Sequence, residues 1–363
     1  MNITVGFIGL GLIGGSIAKS LKKADSSIYI IAYNRSPKAL NKAISDGVID
    51  ESAFVINEAF RKCDIIFLCT PVEYNSVYLS EISKYIQPQC IITDVGSVKG
   101  HIHCAVKELN LSKQFIGGHP MAGSEKTGYE ASSDILLENA YYAITPTKET
   151  DKTQLDMYIK LVTMMGAIPI VTEPDIHDYA VAGISHVPHL IASSLVNMVR
   201  KNDTPDELMK LLAAGGFKDI TRIASSSPEM WSQICTTNKE QISQILQKYI
   251  DELLSVKNMV DMNNSQGIYD MFSESREYRN SISIKTKGVI NTRYTIFCSI
   301  EDKKGALNAI TELLYNNHIS IKNIEIIHNR EYKDGTLLVE FYDETSYNNA
   351  KTVLTNAGYM IYR

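Results

Sequence analysis

The chain has 363 residues, of which 44% are hydrophobic and 21% are charged, and it carries a formal net charge of −5. This composition is ordinary for a globular protein, and the length predicts two or three domains. Because the chain has no basic stripe or arm, its acidic balance argues against nucleic acid as a partner.

The first part of the chain, residues 1–172, alternates short apolar runs with amphipathic stretches. Helices are predicted between the early runs, at residues 14–23, 37–46 and 74–86. Strands that alternate with helices predict an α/β domain with a Rossmann-type, doubly wound parallel sheet covered on both faces. The predicted strands are NITVGFIG, SIYIIAYN, CDIIFLCTP, CIITDVGS, KQFIGGHP, AYYAITPT and a closing IPIVT.

Residues 173–280 have helical spacing and almost no strand pattern, which predicts an all-helical second domain. Its helices are expected over residues 175–200, 205–214 and 228–278, with Pro205 and Pro228 in first turns. The last helical stretch is long and partly apolar, so we expect it to pack against a second subunit in a homodimer.

The polar stretch over residues 273–287 is predicted to be a linker. Residues 292–363 then show a strand, a helix, two strands, a helix and a strand in that order. This order predicts a ferredoxin-like α+β domain at the C-terminus.

The six cysteines are scattered without a C-x-x-C pair, which favours reduced thiols. The N-terminus leads directly into a strand-like run without a charged leader. No apolar stretch approaches the roughly 20 residues of a membrane span. We therefore expect a cytoplasmic protein that has no membrane partner.

A glycine-rich loop follows the first predicted strand. Gly9, Gly11 and Gly14 match the pattern G-x-G-x-x-G between a buried strand and a helix, the context in which the pattern predicts a dinucleotide site. The glycines allow a tight turn, close approach of a pyrophosphate and close helix packing. A glycine-rich turn without a ligand is the alternative. The predicted cofactor contacts are Gly9, Gly11, Leu12, Ile13 and Gly14, with Thr70 and Pro71 after a later strand.

The end of the second strand bears on the choice between NAD and NADP. A carboxylate there would bond the ribose hydroxyls and repel a 2′-phosphate. The chain has Asn34, Arg35 and Ser36 instead, which removes the repulsion and offers a guanidinium and a hydroxyl to that phosphate. This chemistry favours NADP, although Asn34 can also bond the ribose diol of NAD while Arg35 stays solvated.

Four further blocks concentrate polar residues. Residues 94–99 (DVGSVK) and 117–125 (GGHPMAGSE) follow strands, where ligands bind in open α/β sheets. Residues 185–189 (SHVPH) and 215–222 (GGFKDITR), the latter ahead of the single tryptophan, lie in the helical domain. Together with the glycine loop, these blocks closely resemble the prephenate dehydrogenase family over roughly the first 280 residues.

The resemblance implies oxidative decarboxylation of prephenate to 4-hydroxyphenylpyruvate in tyrosine biosynthesis, with hydride passing to NAD or NADP. It implies that His119 is the catalytic base, a role suited to an imidazole, and that Ser97 is hydrogen-bonded to it. It makes Arg222 the anchor of a substrate carboxylate. The further substrate-pocket residues that it implies are His186, Glu125, Lys218, Asp219 and Trp231. No metal is required.

Each of these residues has a plainer interpretation. His119 precedes a proline and would also suit a capped loop. His186 and His189 are one helical turn apart and could ligate a metal, but no cysteine or carboxylate set completes such a site. Trp231 would equally suit a core position, and Asp219 could pair with Arg222. His101 and His103 are expected to be solvated.

The C-terminal domain resembles an ACT domain, a regulatory fold that binds amino acids. The resemblance rests on the strand-to-helix turn Glu301-Asp302-Lys303-Lys304-Gly305-Ala306-Leu307 and on Asn323 in the next strand. Backbone N–H groups at a helix start can bind a ligand carboxylate, and Gly305 allows close approach. Pathway logic makes tyrosine the expected effector; the alternative is a domain kept for dimerisation. The regulatory residues are Asp302, Gly305, Ala306, Leu307 and Asn323.

Other functions remain open at this point. Arogenate dehydrogenase or a dual-specificity cyclohexadienyl dehydrogenase would use the same blocks on a substrate with an amino group. A β-hydroxyacid dehydrogenase shares the glycine loop, but the GGHPMAG block argues against it. A sensor without catalysis, binding dinucleotide and amino acid, would not need His119, Ser97 and Arg222 together.

Overall fold

The computed structural model describes residues 3–123, 126–282, 294–300, 303–327 and 335–362. The chain divides into two compact units, Met1–Gly288 and Val289–Arg363.

The first unit is built on an α/β sheet. Five strands pair in parallel in the order β3-β2-β1-β4-β5, and three more follow in the order β6-β7-β8. A parallel bridge between Ile92 and Phe115 joins the two groups. The strands are β1 (Thr4–Ile8), β2 (Tyr29–Tyr33), β3 (Glu51–Ala53), β4 (Ile65–Leu68), β5 (Ile91–Asp94), β6 (Ile116–Pro120), β7 (Tyr141–Pro146) and β8 (Ile168–Val171).

The expectation of a purely parallel sheet holds for β1 to β5 and is wrong beyond β6. β7 pairs antiparallel with β6 and parallel with β8. The described part of the β6–β7 connection contains a short 3-10 turn, Tyr129–Ala131, where a parallel pair would need a crossover helix. β3, only three residues long, was not predicted.

Alternate side chains of these strands point to opposite faces, and each face has its own core. Phe7, Phe67 and Ile91 belong to one core, whereas Ile8, Leu68 and Ile92 belong to the other. The sheet is therefore covered on both sides, as predicted. The covering helices are α1 (Leu12–Ala24), α2 (Pro37–Ser45), α3 (Val72–Ile82), α4 (Gly100–Glu108) and α5 (Lys152–Met164).

The rest of this unit is helical. A continuous run over 174–202 consists of α6 (Pro174–Val181), a π-helical turn (Ala182–His186) and α7 (Val187–Asn202). The others are α8 (Leu208–Leu212), α9 (Gly215–Thr221), a 3-10 segment (Arg222–Ser225), α10 (Pro228–Thr237), α11 (Lys239–Asp261) and α12 (Ser265–Ser281). Pro228 opens α10 as predicted, but Pro205 precedes α8 instead of lying in it. The predicted linker is wrong up to Ser281, which is still helical.

The run Pro174–Asn202 is long and apolar enough to cross a membrane by length and composition, with a mean hydropathy of 1.2. This differs from the expectation that no such stretch exists. Its buried polar side chains His177, Asp178 and His186 make hydrogen bonds inside the unit. One face of the helix is thus bonded to the rest of the unit, while 28% of its apolar window is buried there.

The helical segment leaves many large apolar side chains exposed. No residue of α8 or α12 is buried, and Leu211, Leu254 and Phe272 are each at least 60% exposed. Exposed apolar area on this scale is typical of a surface that packs on another chain.

The second unit has a four-stranded antiparallel sheet in the order β10-β11-β9-β12, backed by two helices. This is the strand order of the predicted ferredoxin-like fold. The elements are β9 (Thr295–Ile300), α13 (Ala306–Asn316), β10 (Ile321–Ile327), β11 (Gly335–Phe341), α14 (Glu344–Asn356) and β12 (Ile361–Tyr362).

Candidate active site

The glycine loop joins β1 to α1 at the carboxyl edge of the sheet. Gly9 has φ of +98°, and a Cβ there would lie 2.7 Å from the carbonyl oxygen of Cys69. A Cβ on Gly14 would lie 2.4 Å from the carbonyl oxygen of Gly9, so the loop and the helix can only pack this closely with glycine. A Cβ on Gly11, by contrast, would meet nothing within 4 Å. The loop is therefore closed on the protein side and open where a pyrophosphate would approach.

The end of β2 is tied to this loop. The backbone N–H of Leu10 donates to Oδ1 of Asn34 at 3.1 Å. The Arg35 guanidinium lies 5.7 Å from the centre of the Tyr74 ring, and Ser36 begins α2 without a side-chain cap. Of the side chains predicted to choose the cofactor, Asn34 is thus bonded to the loop, and none of the three is acidic.

A buried ion pair lies near the carboxyl ends of β5 and β6. Lys99 and Asp94 are 0% exposed, with Lys99 Nζ 2.5 Å from Asp94 Oδ2 and 2.6 Å from the carbonyl oxygen of Gly118. Backbone N–H groups of Gly96 and Gly118 also donate to Asp94. Burial lowers the pKa of Lys99, and the adjacent Asp94 carboxylate opposes that shift. The pair fixes the backbone immediately before His119.

His119 is the penultimate residue of β6 at the same edge and is partly buried; the block 117–125, expected to follow a strand, thus begins within one. Its Nδ1 lies 2.9 Å from Nε2 of His177, and Nδ1 of His177 lies 2.8 Å from Oδ1 of Asp178. Asp178 also accepts the backbone N–H groups of Lys99 at 2.8 Å and Gly100 at 2.7 Å. A hydrogen-bonded chain thus runs from His119 through α6 to the N-terminus of α4.

This chain corrects one predicted contact. Ser97 was expected to bond His119, but within the described ranges it makes no such hydrogen bond, and His177 takes that place. Ser97 lies partly buried in the loop between β5 and α4. It lies at the same edge of the sheet.

The π-helical turn places a second group of rings. His186, almost fully buried, lies with Nδ1 3.1 Å from Nδ2 of Asn238, whose amide also donates to the carbonyl oxygen of Asp178. Trp231 meets the His186 ring edge-on and stacks on His189 at 3.7 Å between ring centres. The indole Nε1 is buried and has no hydrogen-bond partner within the described part of the chain. Such π turns often occur at functional sites.

Burial governs the charge of these imidazoles. Burial, and after it the neighbouring His177, Lys99 and His186, hold the pKa of His119 well below its usual value. Burial lowers the pKa of His186 to about 4. Both rings are therefore neutral at neutral pH, which leaves His119 able to accept a proton.

The remaining predicted residues lie apart from this buried group. Arg222 is exposed at the start of the 3-10 segment that packs on α7, and Lys218 and Asp219 are exposed on α9. Thr70 and Pro71 follow β4, where the Thr70 hydroxyl donates to Asn75 Oδ1 at 2.6 Å. Leu12 and Ile13 open α1, while Glu125 lies outside the described residues.

One expectation about the histidines is wrong. His103 was expected to be solvated, but it is partly buried on α4 with Nε2 3.1 Å from the Thr145 hydroxyl, and burial lowers its pKa. For the metal alternative, the described residues contain no group of three or more His, Cys, Asp or Glu side chains that could hold an ion.

Sequence reasoning missed His177, Asp178 and Asn238. The adjacent His-Asp pair, two turns before SHVPH in one helical stretch, was a usable signal because neighbouring acid and imidazole groups often orient one another. Asn238 carries no such signal, since a lone asparagine between two helices is common.

The predicted regulatory residues separate within the second unit. Asn323 pairs with Glu340, which pairs with Thr295 at the start of β9, whereas Gly305, with φ of +88°, follows the end of β9. The two positions are thus about five residues apart along the strands, roughly 17 Å. Ala306 and Leu307 begin α13 beside Gly305, and Asp302 lies outside the described residues.

Similarity to known proteins decides the family. Residues 17–171 match the family "Prephenate dehydrogenase, nucleotide-binding domain", and residues 173–274 match "Prephenate dehydrogenase, dimerization domain". A prephenate dehydrogenase of Bacillus subtilis (strain 168) is 36% identical over 353 residues, covering 97% of this chain and 95% of that protein. The chain belongs to the prephenate dehydrogenase family.

Solved structures of the same family share the architecture. Prephenate dehydrogenase from A. aeolicus, in complex with hydroxyphenyl propionate and NAD+, is 34% identical with a TM-score of 0.73, covering 77% of this chain and 98% of that one. Arogenate dehydrogenase from Synechocystis is 30% identical with a TM-score of 0.72, covering 77% of this chain and 100% of that one. Family membership therefore leaves two substrates to separate.

Proposed function

We propose that this protein is a nicotinamide-dependent prephenate dehydrogenase that converts prephenate to 4-hydroxyphenylpyruvate by oxidative decarboxylation. Its membership in the family supports this reaction. The observation that carries the proposal is the neutral His119 at the carboxyl edge of the sheet, the edge that also holds the open glycine loop. A base and a dinucleotide cradle on one edge are the two parts that the reaction needs.

The residues of the glycine loop fit a dinucleotide. Gly9, Gly11 and Gly14 form a cradle that is open only at Gly11, and the N–H groups that begin α1 are available to a pyrophosphate. A nicotinamide bound there supplies the hydride acceptor.

His119 holds and moves the proton. The reacting ring carbon bears a hydroxyl, and as that carbon is oxidised its hydroxyl proton passes to Nε2 of His119, since His177 engages Nδ1. When CO2 leaves, the electrons of the broken C–C bond aromatise the ring, and the new phenol oxygen takes a proton back from Nε2. Aromatisation drives the loss of CO2, so neither a metal nor a covalent nucleophile is needed.

The other site residues bind substrate in this proposal. Prephenate carries two carboxylates, and the Arg222 guanidinium suits one of them because its planar fork forms paired hydrogen bonds. The unpartnered indole N–H of Trp231 supports a polar substrate contact as well. On the family resemblance we also assign substrate contacts to Glu125, Lys218, His186 and Ser97.

The cofactor proposal includes NADP. No acidic side chain at the end of β2 repels a 2′-phosphate. The Asn34 carboxamide oxygen already accepts the Leu10 N–H, which makes it less available to the ribose hydroxyls. Arg35 and the uncapped Ser36 hydroxyl, which follow β2, offer a guanidinium and a hydroxyl that suit such a phosphate. We therefore expect NADP to be used at least as well as NAD.

The decisive experiment measures reduced nicotinamide at 340 nm with prephenate or arogenate, each paired with NAD or NADP. Turnover of prephenate is the expected result. Turnover of arogenate alone would keep the chemistry and move the substrate, and the arogenate dehydrogenase of Synechocystis makes this the second candidate. Folded protein inactive in all four mixtures would refute the proposal.

We also propose that the enzyme is a cytoplasmic homodimer. Free cysteines at all six positions are compatible with a reducing compartment. The exposed apolar side chains of α8, α11 and α12 support a subunit interface formed by the helical segment. Light scattering of the purified enzyme should give twice the 40.5 kDa chain mass; a monomer at micromolar concentration would contradict this.

The second unit is proposed to be an ACT-like regulatory domain that binds tyrosine. Gly305 leaves open space where a Cβ would lie, so a ligand carboxylate can approach the N–H groups that begin α13. Because Asn323 lies at the other end of the strands, one unit alone does not bring it to this turn. Calorimetric titration with tyrosine should show heat that Gly305→Val removes. Activity and heat both insensitive to tyrosine would leave a dimerisation module.

A further inference from the structure

The Asp178 carboxylate is surrounded by donors. Its Oδ1 accepts from the backbone N–H of Lys99 and faces Nδ1 of His177, each at 2.8 Å, and its Oδ2 accepts from Gly100 N–H at 2.7 Å. The side chain is almost fully buried. Backbone N–H groups can only donate, so Asp178 serves as an acceptor at both oxygens. Nδ1 of His177 must then carry a hydrogen and donate it.

The hydrogen on Nδ1 of His177 determines whether its other ring nitrogen, Nε2, carries a hydrogen. In a neutral imidazole one ring nitrogen donates and the other accepts. When His177 is neutral, its Nε2 therefore carries a lone pair, and this nitrogen faces Nδ1 of His119 at 2.9 Å. A hydrogen bond exists between two such nitrogens only if one carries a hydrogen, so His119 donates from Nδ1. This leaves the lone pair of His119 on Nε2.

Two further groups of side chains hold the hydrogen-bonded residues His119, His177 and Asp178 in place. Asn238, at the start of α11, donates to the carbonyl oxygen of Asp178, and the buried Lys99–Asp94 pair holds Gly118 next to His119. The charged or titratable groups facing His119 are His177, Lys99 and His186. Asp178 does not face His119 directly; it is hydrogen-bonded to His177. Burial and the Lys99 ammonium both disfavour a positive charge on His119 in the resting enzyme.

We propose that His177 and Asp178 are positioning residues that hold His119 with its hydrogen on Nδ1 and its lone pair on Nε2. The inference rests on the proposed function for its importance to catalysis, since the base must accept the substrate's hydroxyl proton at Nε2. With the opposite tautomer, the nitrogen that meets the substrate would already carry a hydrogen and could not act as a base.

Two polar replacements of His177 separate positioning from general structural support. The His177→Gln side chain reaches the place of Nε2 and offers its amide oxygen to the His119 Nδ1 hydrogen. The His177→Asn side chain reaches only the place of Nδ1, so it keeps the bond to Asp178 and loses the one to His119. We expect His177→Gln to stay within about 10-fold of wild-type kcat and His177→Asn to lose roughly 100-fold or more, with little change in KM.

The matched control is His103→Asn, the same substitution at another partly buried histidine of this unit, which bonds Thr145 and does not touch His119. It should leave kcat unchanged. Equal kcat values for His177→Asn and His177→Gln would overturn the proposal, because a residue that only supports the fold would not distinguish them.

Nitrogen-15 NMR of imidazole-labelled enzyme tests the tautomer without turnover. The chain has eight histidines, and the His119 signals are those lost in His119→Asn. Wild type should show a protonated Nδ1 and an unprotonated Nε2 on His119 at neutral pH, and His177→Asn should shift hydrogen toward Nε2. A protonated Nε2 in wild type would overturn the inference. If the wild-type enzyme turned over neither substrate, the proposed function would fail while this spectrum would still decide the tautomer.

Discussion

Removing the Lys99 ammonium should destabilise the first unit more than any surface substitution would. The charges lie 2.5 Å apart, which at an effective dielectric constant of about 20 corresponds to an attraction of roughly 7 kcal/mol. Desolvation of both ions offsets most of that gain. Lys99→Met removes the attraction and the desolvation cost of the ammonium, but the desolvation cost of the Asp94 carboxylate remains. That carboxylate stays buried and keeps only its backbone N–H donors. We therefore expect a loss of about 3–5 kcal/mol.

The assay uses the single tryptophan. Trp231 lies in the first unit, so its fluorescence follows the unfolding of that unit. At about 2 °C per kcal/mol for a unit of this size, Lys99→Met should lower the melting temperature by roughly 6–10 °C. The control is Lys99→Met combined with Asp94→Asn, which removes the uncompensated charge and should recover most of the loss. A single variant that melts within 2 °C of wild type, or a double variant no more stable than the single one, would refute the reasoning.

Three further predictions concern charge and cofactor. His119→Asn should lower kcat by about 10²–10⁴-fold, and wild-type kcat/KM should fall only at pH values below the ordinary histidine range, because the base has a lowered pKa. Arg35→Ala should raise KM for NADP at least about 10-fold more than KM for NAD, and equal effects would exclude a phosphate contact. His186 has a folded pKa of about 4 against an unfolded value near 6.5. Its contribution to stability is therefore present above pH 6.5 and is lost as the pH falls toward 4; urea unfolding of His186→Gln should show a smaller acid loss than wild type.

Much of the fold could be predicted because strands and helices of different periodicity alternate in the sequence. The strands β1, β2, β4 and β5, with helices on both faces, follow from apolar runs separated by amphipathic stretches, whereas the three-residue β3 was missed. The antiparallel turn at β7 could not be predicted in this way. A buried strand has the same composition in either direction, and the described part of the β6–β7 connection has a short 3-10 turn where a parallel pair would need a crossover helix.

The candidate site was predictable where it lies at the carboxyl ends of strands and much less so where it lies on helices. The glycine loop follows β1 and His119 lies near the end of β6, so their place at the carboxyl edge follows from the topology. The residue that is hydrogen-bonded to His119 could not be predicted in this way. Ser97 is near in sequence to that edge, whereas His177 reaches it only because α6 packs on α4, a contact between elements some 75 residues apart. Side-chain hydrogen bonds of that range leave no periodic pattern.

Asp178 lies beyond the end of the nucleotide-binding segment, yet it caps the N-terminus of α4 within that segment. The boundary between the two family segments, at residues 171 and 173, thus separates His119 from the groups that orient it. A fragment ending at residue 172 would retain the glycine loop and His119 but would lose the acceptor on Nδ1 and the cap on α4. Recombining the nucleotide-binding half of one family member with the helical half of another therefore exchanges part of the catalytic apparatus, and such hybrids should succeed only where the His-Asp pair and the start of α4 come from compatible parents.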